Sequence, residues 1–220
     1  MSVERVAFGA GGATVSGLLA LPARARALYV LAHGAGAGMA HPFMAAVAEG
    51  LALRRIATLR WQFPYMERGS KRVDSAKDAQ AAVRAAVDEA TRLAPRLPLF
   101  AGGKSFGGRM TSQAQAATPL PGVRGLVFLG FPLHPPGKPG DERGAHLAQV
   151  SVPMLFLQGA RDKLASLDLL QPMVVQLGAT LRLFEHADHS FHVPARSGKK
   201  DAAVMAEALD VMSGWIETLL

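Results

Sequence analysis

Three residues of this 220-residue chain could together cleave an acyl bond: Ser105, Asp162 and His189, in that order along the sequence. Ser105 sits in Gly103-Lys104-Ser105-Phe106-Gly107. A serine hydroxyl attacks a carbonyl only when a base takes its proton, and a carboxylate must orient that base. His189, in Ala187-Asp188-His189-Ser190, can supply the base, and Asp162, in Gly159-Ala160-Arg161-Asp162, the carboxylate. Asp188 is adjacent to His189, and neighbouring side chains rarely meet in the needed geometry, so Asp162 is the expected partner. Such chemistry also needs donors for the developing oxyanion. One is expected to be the backbone N–H of Phe106. The other should come from His33-Gly34-Ala35-Gly36, with Ala35 the first choice and Gly34 the alternative.

These groups act only if the chain folds so as to gather them, and the patterning predicts how. Two β-type segments, residues 3–10 and 13–21, flank a Gly11-Gly12 turn. Residues 28–32 are a short apolar run, the mark of a strand buried on both faces, and they end in the glycine-rich loop 33–38. A helix over 42–55, a strand over 56–63 and a loop over 64–72 follow. The longest helix is expected at 74–93, capped by Asp74 or Ser75. Further strands are expected at 99–102, 123–131, 153–158 and 180–184. Further helices are expected at 109–117, 141–149 (short), 166–177 and 201–220. About eight strands separated by helices imply an α/β fold with a mostly parallel sheet, and 1–220 reads as one domain. Ser105 follows a strand and leads into a helix, while Asp162 and His189 follow later strands. Catalytic groups of such folds gather at those carboxyl ends.

Other chemistries fail specific tests. Gly103-Lys104-Ser105 imitates the end of a phosphate-binding loop, but the first glycine would fall at Pro98. The glycines at 34, 36 and 38 resemble a dinucleotide loop, yet the spacing would need glycine at Met39 or His41. Residues 186, 189 and 192 are histidines spaced by three, but without a helical pattern they do not share a face, so no metal is expected. The chain has no cysteine, which excludes disulfides and thiolate chemistry. Its net charge is +7, but the basic residues are scattered. The densest cluster, Arg68 to Arg72, contains no aromatic for stacking on bases, so no nucleic-acid partner is expected. No apolar run is long enough to span a membrane. Residues 6–22 with Ala23-Arg24-Ala25 mimic a secretory leader, but four glycines and alternate apolar positions favour a hairpin and a cytoplasmic protein.

With these motifs assembled, the sequence resembles the KANL/TEX-type branch of the α/β-hydrolase superfamily, related to dienelactone hydrolases. The resemblance rests on Leu31-Ala32-His33-Gly34-Ala35-Gly36, on Phe63-Pro64-Tyr65-Met66-Glu67-Arg68-Gly69 and on Gly102-Gly103-Lys104-Ser105-Phe106-Gly107-Gly108-Arg109. Phe131-Pro132-Leu133-His134-Pro135 and Gly159-Ala160-Arg161-Asp162 complete it, so that it runs from about residue 15 to the C-terminus. It implies a three-layer αβα sandwich and a Ser105–Asp162–His189 triad, and acyl transfer by such a triad needs no cofactor. Dienelactone hydrolases proper carry cysteine where this chain has Ser105, so that activity does not carry over. The segment 132–152 is too short for a large lid domain, which favours small or exposed esters as substrates. Met66, Phe106, Leu133 and His134 are candidates to line the pocket, with loop packing the alternative for Met66 and Leu133. His33 borders the same pocket and is expected to hold its loop by hydrogen bonding. Arg109 could steer an anionic substrate, but an ion pair with an acidic loop residue is the favoured expectation. Eukaryotic relatives include a subunit of a chromatin-modifying complex, so a non-catalytic interaction protein is the competing reading.

Overall fold

The computed structural model describes residues 3–220. Strands β1 (Val3–Ala10) and β2 (Ala13–Ala20) form an antiparallel hairpin closed by Gly11 and Gly12. The apolar stretch that mimicked a leader is therefore mostly sheet. β3 (Ala27–Ala32), β4 (Ile56–Trp61), β5 (Leu99–Lys104), β6 (Val123–Leu129), β7 (Met154–Gly159) and β8 (Thr180–Phe184) continue it. The strand order is β1-β2-β4-β3-β5-β6-β7-β8. Every pairing from β4 onward is parallel.

Alternation along the central strands divides the core in two. Tyr29 and Leu31 of β3, with Val127 and Leu129 of β6, face helices α1 (Pro42–Leu53) and α6 (Asp201–Glu217). Leu28, Val30, Leu126 and Phe128 face the opposite layer. That layer holds α3 (Ala76–Leu93), α4 (Phe106–Ala117) and α5 (Leu167–Gln176). The result is the expected three-layer sandwich. α3 shows why it packs so closely: Ala79, Ala82, Val83, Ala86, Val87 and Ala90 recur at helical spacing and are all buried.

The boundaries differ in places with local causes. α4 begins at Phe106 rather than at 109, because Ser105 itself makes the turn. Residues 64–67, expected as loop, form the short helix α2 (Pro64–Glu67), with the proline in its first turn where no N–H is needed. Ser75 caps α3 by accepting from the Asp78 N–H at 3.2 Å. Asp74, the other candidate cap, is buried and accepts from the Tyr65 N–H at 3.0 Å and from Arg68 at 2.7 Å. Residues 142–149 form a 3-10 helix, and no lid domain stands between β6 and β7.

One side-chain bond ties the strands that flank β5. Tyr29 donates its hydroxyl hydrogen to the Val127 carbonyl at 2.8 Å, passing over Gly102, where a Cβ would overlap that same carbonyl. Both ends are buried, so removing the hydroxyl leaves an unmet acceptor. Tyr29→Phe should lower the urea unfolding free energy by about 1–3 kcal/mol with the slope unchanged. A variant as stable as the wild type would show that the bond contributes nothing net.

Candidate active site

Ser105 has φ 51° and ψ −115°, a conformation that costs an L-residue about 1–3 kcal/mol. Two glycines make it possible. A methyl group at Gly103 would overlap the Ala32 carbonyl, and one at Gly107 would lie 2.6 Å from the His33 carbonyl oxygen. β3 therefore packs against the turn with no room for side chains at either position.

From this turn, Ser105 Oγ lies 2.9 Å from His189 Nε2, and His189 Nδ1 lies 2.6 Å from Asp162 Oδ2. The three residues come from the ends of β5, β7 and β8, 84 and 27 residues apart in the two contacts. The Asp162 side chain is fully buried and that of His189 is 23% exposed, so the imidazole reaches solvent while the carboxylate does not.

A sealed carboxylate needs donors on its remaining lone pairs. Gln158 Nε2 donates to Asp162 Oδ2 at 2.6 Å, and the Leu164 N–H donates to Oδ1 at 2.8 Å. Gln158 Oε1 accepts from the Phe131 N–H at 2.8 Å. Sequence reasoning missed Gln158. The signal was there: a single polar side chain in the otherwise apolar strand Met154–Gly159, which must satisfy its amide at both ends.

A cavity of about 250 Å³ opens beside Ser105 and His189. Gly34, Ala35, Phe43, Met44 and Lys104 are among its walls. The N–H groups of Phe106 and Ala35 have no protein acceptor among the described residues. The Gly34 carbonyl is engaged twice, by His33 Nδ1 at 2.7 Å and by the Ala37 N–H at 3.2 Å.

The expected pocket residues lie elsewhere. His33 is fully buried, donates to the Gly34 carbonyl and accepts from the Phe63 N–H at 3.2 Å, so it does hold the loop. Leu133 is fully buried in the core. His134 is buried and accepts from the Ser166 N–H at 2.8 Å, tying two loops together. Phe106 turns its ring onto Phe63, centroids 5.1 Å apart. Met66 packs against the core and across Gly38. None of the five lines this cavity; apolar packing and loop bonding draw them inward. Arg109 makes no ion pair among the described residues; its charge lies near Arg143 and His146 instead. The three spaced histidines diverge, with His189 on Asp162, His192 Nδ1 on Asp201 at 2.8 Å and His186 beside Glu185.

Two imidazoles, His33 fully buried and His146 half-buried, are held neutral. Burial lowers the His33 pKa to about 4, against a smaller opposing effect of its bond to Gly34. Burial, and then the Arg109 charge, lower His146 to about 4; its Nε2 lies 2.7 Å from Ser112 Oγ. In the unfolded chain both titrate near 6.5. Between about pH 6.5 and 4 the unfolded state therefore binds more protons, and stability falls as pH falls through that window. Urea unfolding at stepped pH should show this loss. His146→Gln should flatten the slope by about one proton. Equal slopes would mean that His146 ionises as readily in the fold as outside it.

With this geometry in place, comparison with known proteins is informative. A family model described as "Alpha/beta hydrolase domain" matches residues 25–217. Among solved structures, a dienelactone hydrolase from Anabaena variabilis superposes with a TM-score of 0.78 at 22% identity, covering 100% of this chain and 98% of the other. A serine hydrolase without a lid from Xanthomonas campestris gives 0.76 at 17%, covering 97% and 94%. The Est1E protein of Butyrivibrio proteoclasticus, solved with ferulic acid bound, gives 0.77 at 15%, covering 97% and 98%. At these identities the superpositions speak for the fold, and the family model, spanning most of the chain, for the lineage: the protein belongs to the α/β hydrolase family.

Proposed function

We propose that this protein is a serine hydrolase that cleaves small or solvent-exposed carboxylic esters through an acyl-enzyme on Ser105. The observation that carries the reading is the continuous relay from Ser105 Oγ through His189 to Asp162, at 2.9 and 2.6 Å. His189 Nε2 takes the hydroxyl proton as Oγ attacks the ester carbonyl, and then passes it to the departing alkoxide. Water, deprotonated by the same nitrogen, attacks the acyl group, and collapse releases the acid and restores Ser105. Asp162 orients the imidazole and stabilises its cation. The Phe106 N–H and the Ala35 N–H, with Gly34 the alternative to Ala35, hold the oxyanion. Every step uses groups of this chain and water, without a cofactor.

The cavity of about 250 Å³ and the lack of a lid domain between β6 and β7 support small or exposed substrates. The solved hydrolases of similar fold agree with acyl chemistry but do not specify the acid or alcohol. Membership of the KANL/TEX-type branch is a narrower proposal that rests on the motifs alone. A cytoplasmic setting is part of the same proposal. No helix among the described residues is long and apolar enough to cross a membrane.

A fluorophosphonate probe should label the wild-type protein and leave Ser105→Ala unlabelled, with turnover of p-nitrophenyl acetate lost in parallel. Folded wild type that resists the probe would sink the enzyme reading and favour a non-catalytic interaction protein. Asp162→Asn should lower kcat by roughly 10³–10⁴-fold, because the imidazole then presents the wrong tautomer. Gln158→Met, which removes a support one bond further back, should cost about 10–100-fold through loss of orientation. A Gln158→Met variant with wild-type kcat would show that Leu164 alone suffices to hold the carboxylate.

A further inference from the structure

A lysine near a protein surface ordinarily buries its stem and keeps its ammonium in water. Lys104, the residue before Ser105, does the reverse. Its stem lines the cavity and packs against Gly34, while Nζ is sealed from solvent with no hydrogen-bond partner among the described residues. The face of the Phe43 ring covers it, 5.8 Å from the centroid. Behind it stands Gly130. A methyl group there would lie 3.1 Å from Lys104 Nζ, 3.2 Å from the His189 carbonyl oxygen and 3.4 Å from His189 Nδ1. Ammonium and imidazole therefore flank one methyl-sized gap, on the side of the ring that faces Asp162.

A sealed, unpartnered cation is costly to keep, and hydrogen bonding does not explain this one. Its field reaches the relay. We infer that Lys104 is a positioning residue of the Asp162–His189 pair, its charge beside the ring opposing a second positive charge there and so disfavouring the imidazolium. The inference rests on the serine hydrolase reading for its kinetic consequence, but not for its electrostatics. The surrounding charges can be named. Asp162 and then Asp188 favour the ammonium, against a larger effect of burial that lowers its pKa to about 8. Asp188 is itself held by the N–H groups of Ser190 and His192. Arg161 precedes Asp162 and is exposed, His192 is paired with Asp201 at the surface, and His41 stands at the cavity wall. Lys104 is thus the sealed cation beside the ring, and deprotonation above about pH 8 removes its influence.

The test compares the wild type with Lys104→Met and Lys104→Gln, both neutral, so that one remains if the other fails to fold. NMR titration of the His189 ring Cε1–H reads the effect without turnover. The midpoint should rise in both variants by about two pH units, the size expected for a charge this near at an effective dielectric near 20. The acid limb of kcat/KM for a neutral ester should move upward with it, with KM unchanged. A merely structural lysine would alter stability and leave both curves in place, so midpoints within about 0.2 units of wild type would overturn the inference. Loss of turnover confined to anionic esters, with the His189 midpoint unmoved, would also overturn it, pointing to substrate contact instead. A midpoint shifted in the variants, with a folded wild-type protein that resists fluorophosphonate, would uphold the electrostatics and reject the hydrolase reading, which keeps the two failures apart.

Discussion

The Ala32 and His33 carbonyls crowd so closely on the Ser105 turn that neither Gly103 nor Gly107 has room for a Cβ. That approach of β3 to β5 governs the rest of the site. It allows Ser105 its strained backbone, because the packed strands around the turn over-determine it. It also brings the loop that leaves β3, with Gly34 and Ala35, to the same cavity as the serine hydroxyl. The sheet order enforces the proximity: β3 and β5 are neighbours although α1, β4, α2 and α3 intervene in the chain. The Tyr29 bond to Val127 across Gly102 braces β5 from the other side of its pairing.

Around this frame the interior polar groups are largely satisfied in ways that fix loops. His33 joins the Gly34 carbonyl to the Phe63 N–H, and so couples the loop after β3 to the end of β4. His134 joins the loop after β6 to the start of α5. Gln158 joins the end of β6 to Asp162. Each is a buried side chain with two directional ends, which specifies a geometry more sharply than apolar contact does. The loops around Ser105, Asp162 and His189 are thereby tied to the sheet. Lys104 departs from the pattern, since its ammonium is enclosed without any such bond.

Much of the fold was legible because its signals are local. Apolar runs of strand length, capped helices and Gly-Gly turns report the backbone within a few residues, and the eight strands came out in place with shifts at their ends. That Ser105, Asp162 and His189 would meet was legible too, from residue type, order and position after strands. The pocket residues were not. Met66, Leu133 and His134 are loop residues by sequence, and nothing local says whether a loop side chain turns outward or is drawn into the core. The ring of Phe106 was misplaced for a similar reason: its neighbour Phe63 lies 43 positions away but within ring contact.

The sequence by itself therefore determined the alternating architecture, the glycine-flanked turn at Ser105 and the candidate groups for the proposed chemistry. Periodicity, glycine and the inventory of side chains are properties that a residue carries with it. Only the tertiary structure decided which groups meet: Gln158 with Asp162, Lys104 behind His189, and Phe43 over its ammonium. Those meetings depend on strand order and loop path, which bring distant segments within a few ångströms. Burial then acts on whatever has been gathered there, forcing polar groups to find partners or, for Lys104, to remain without one.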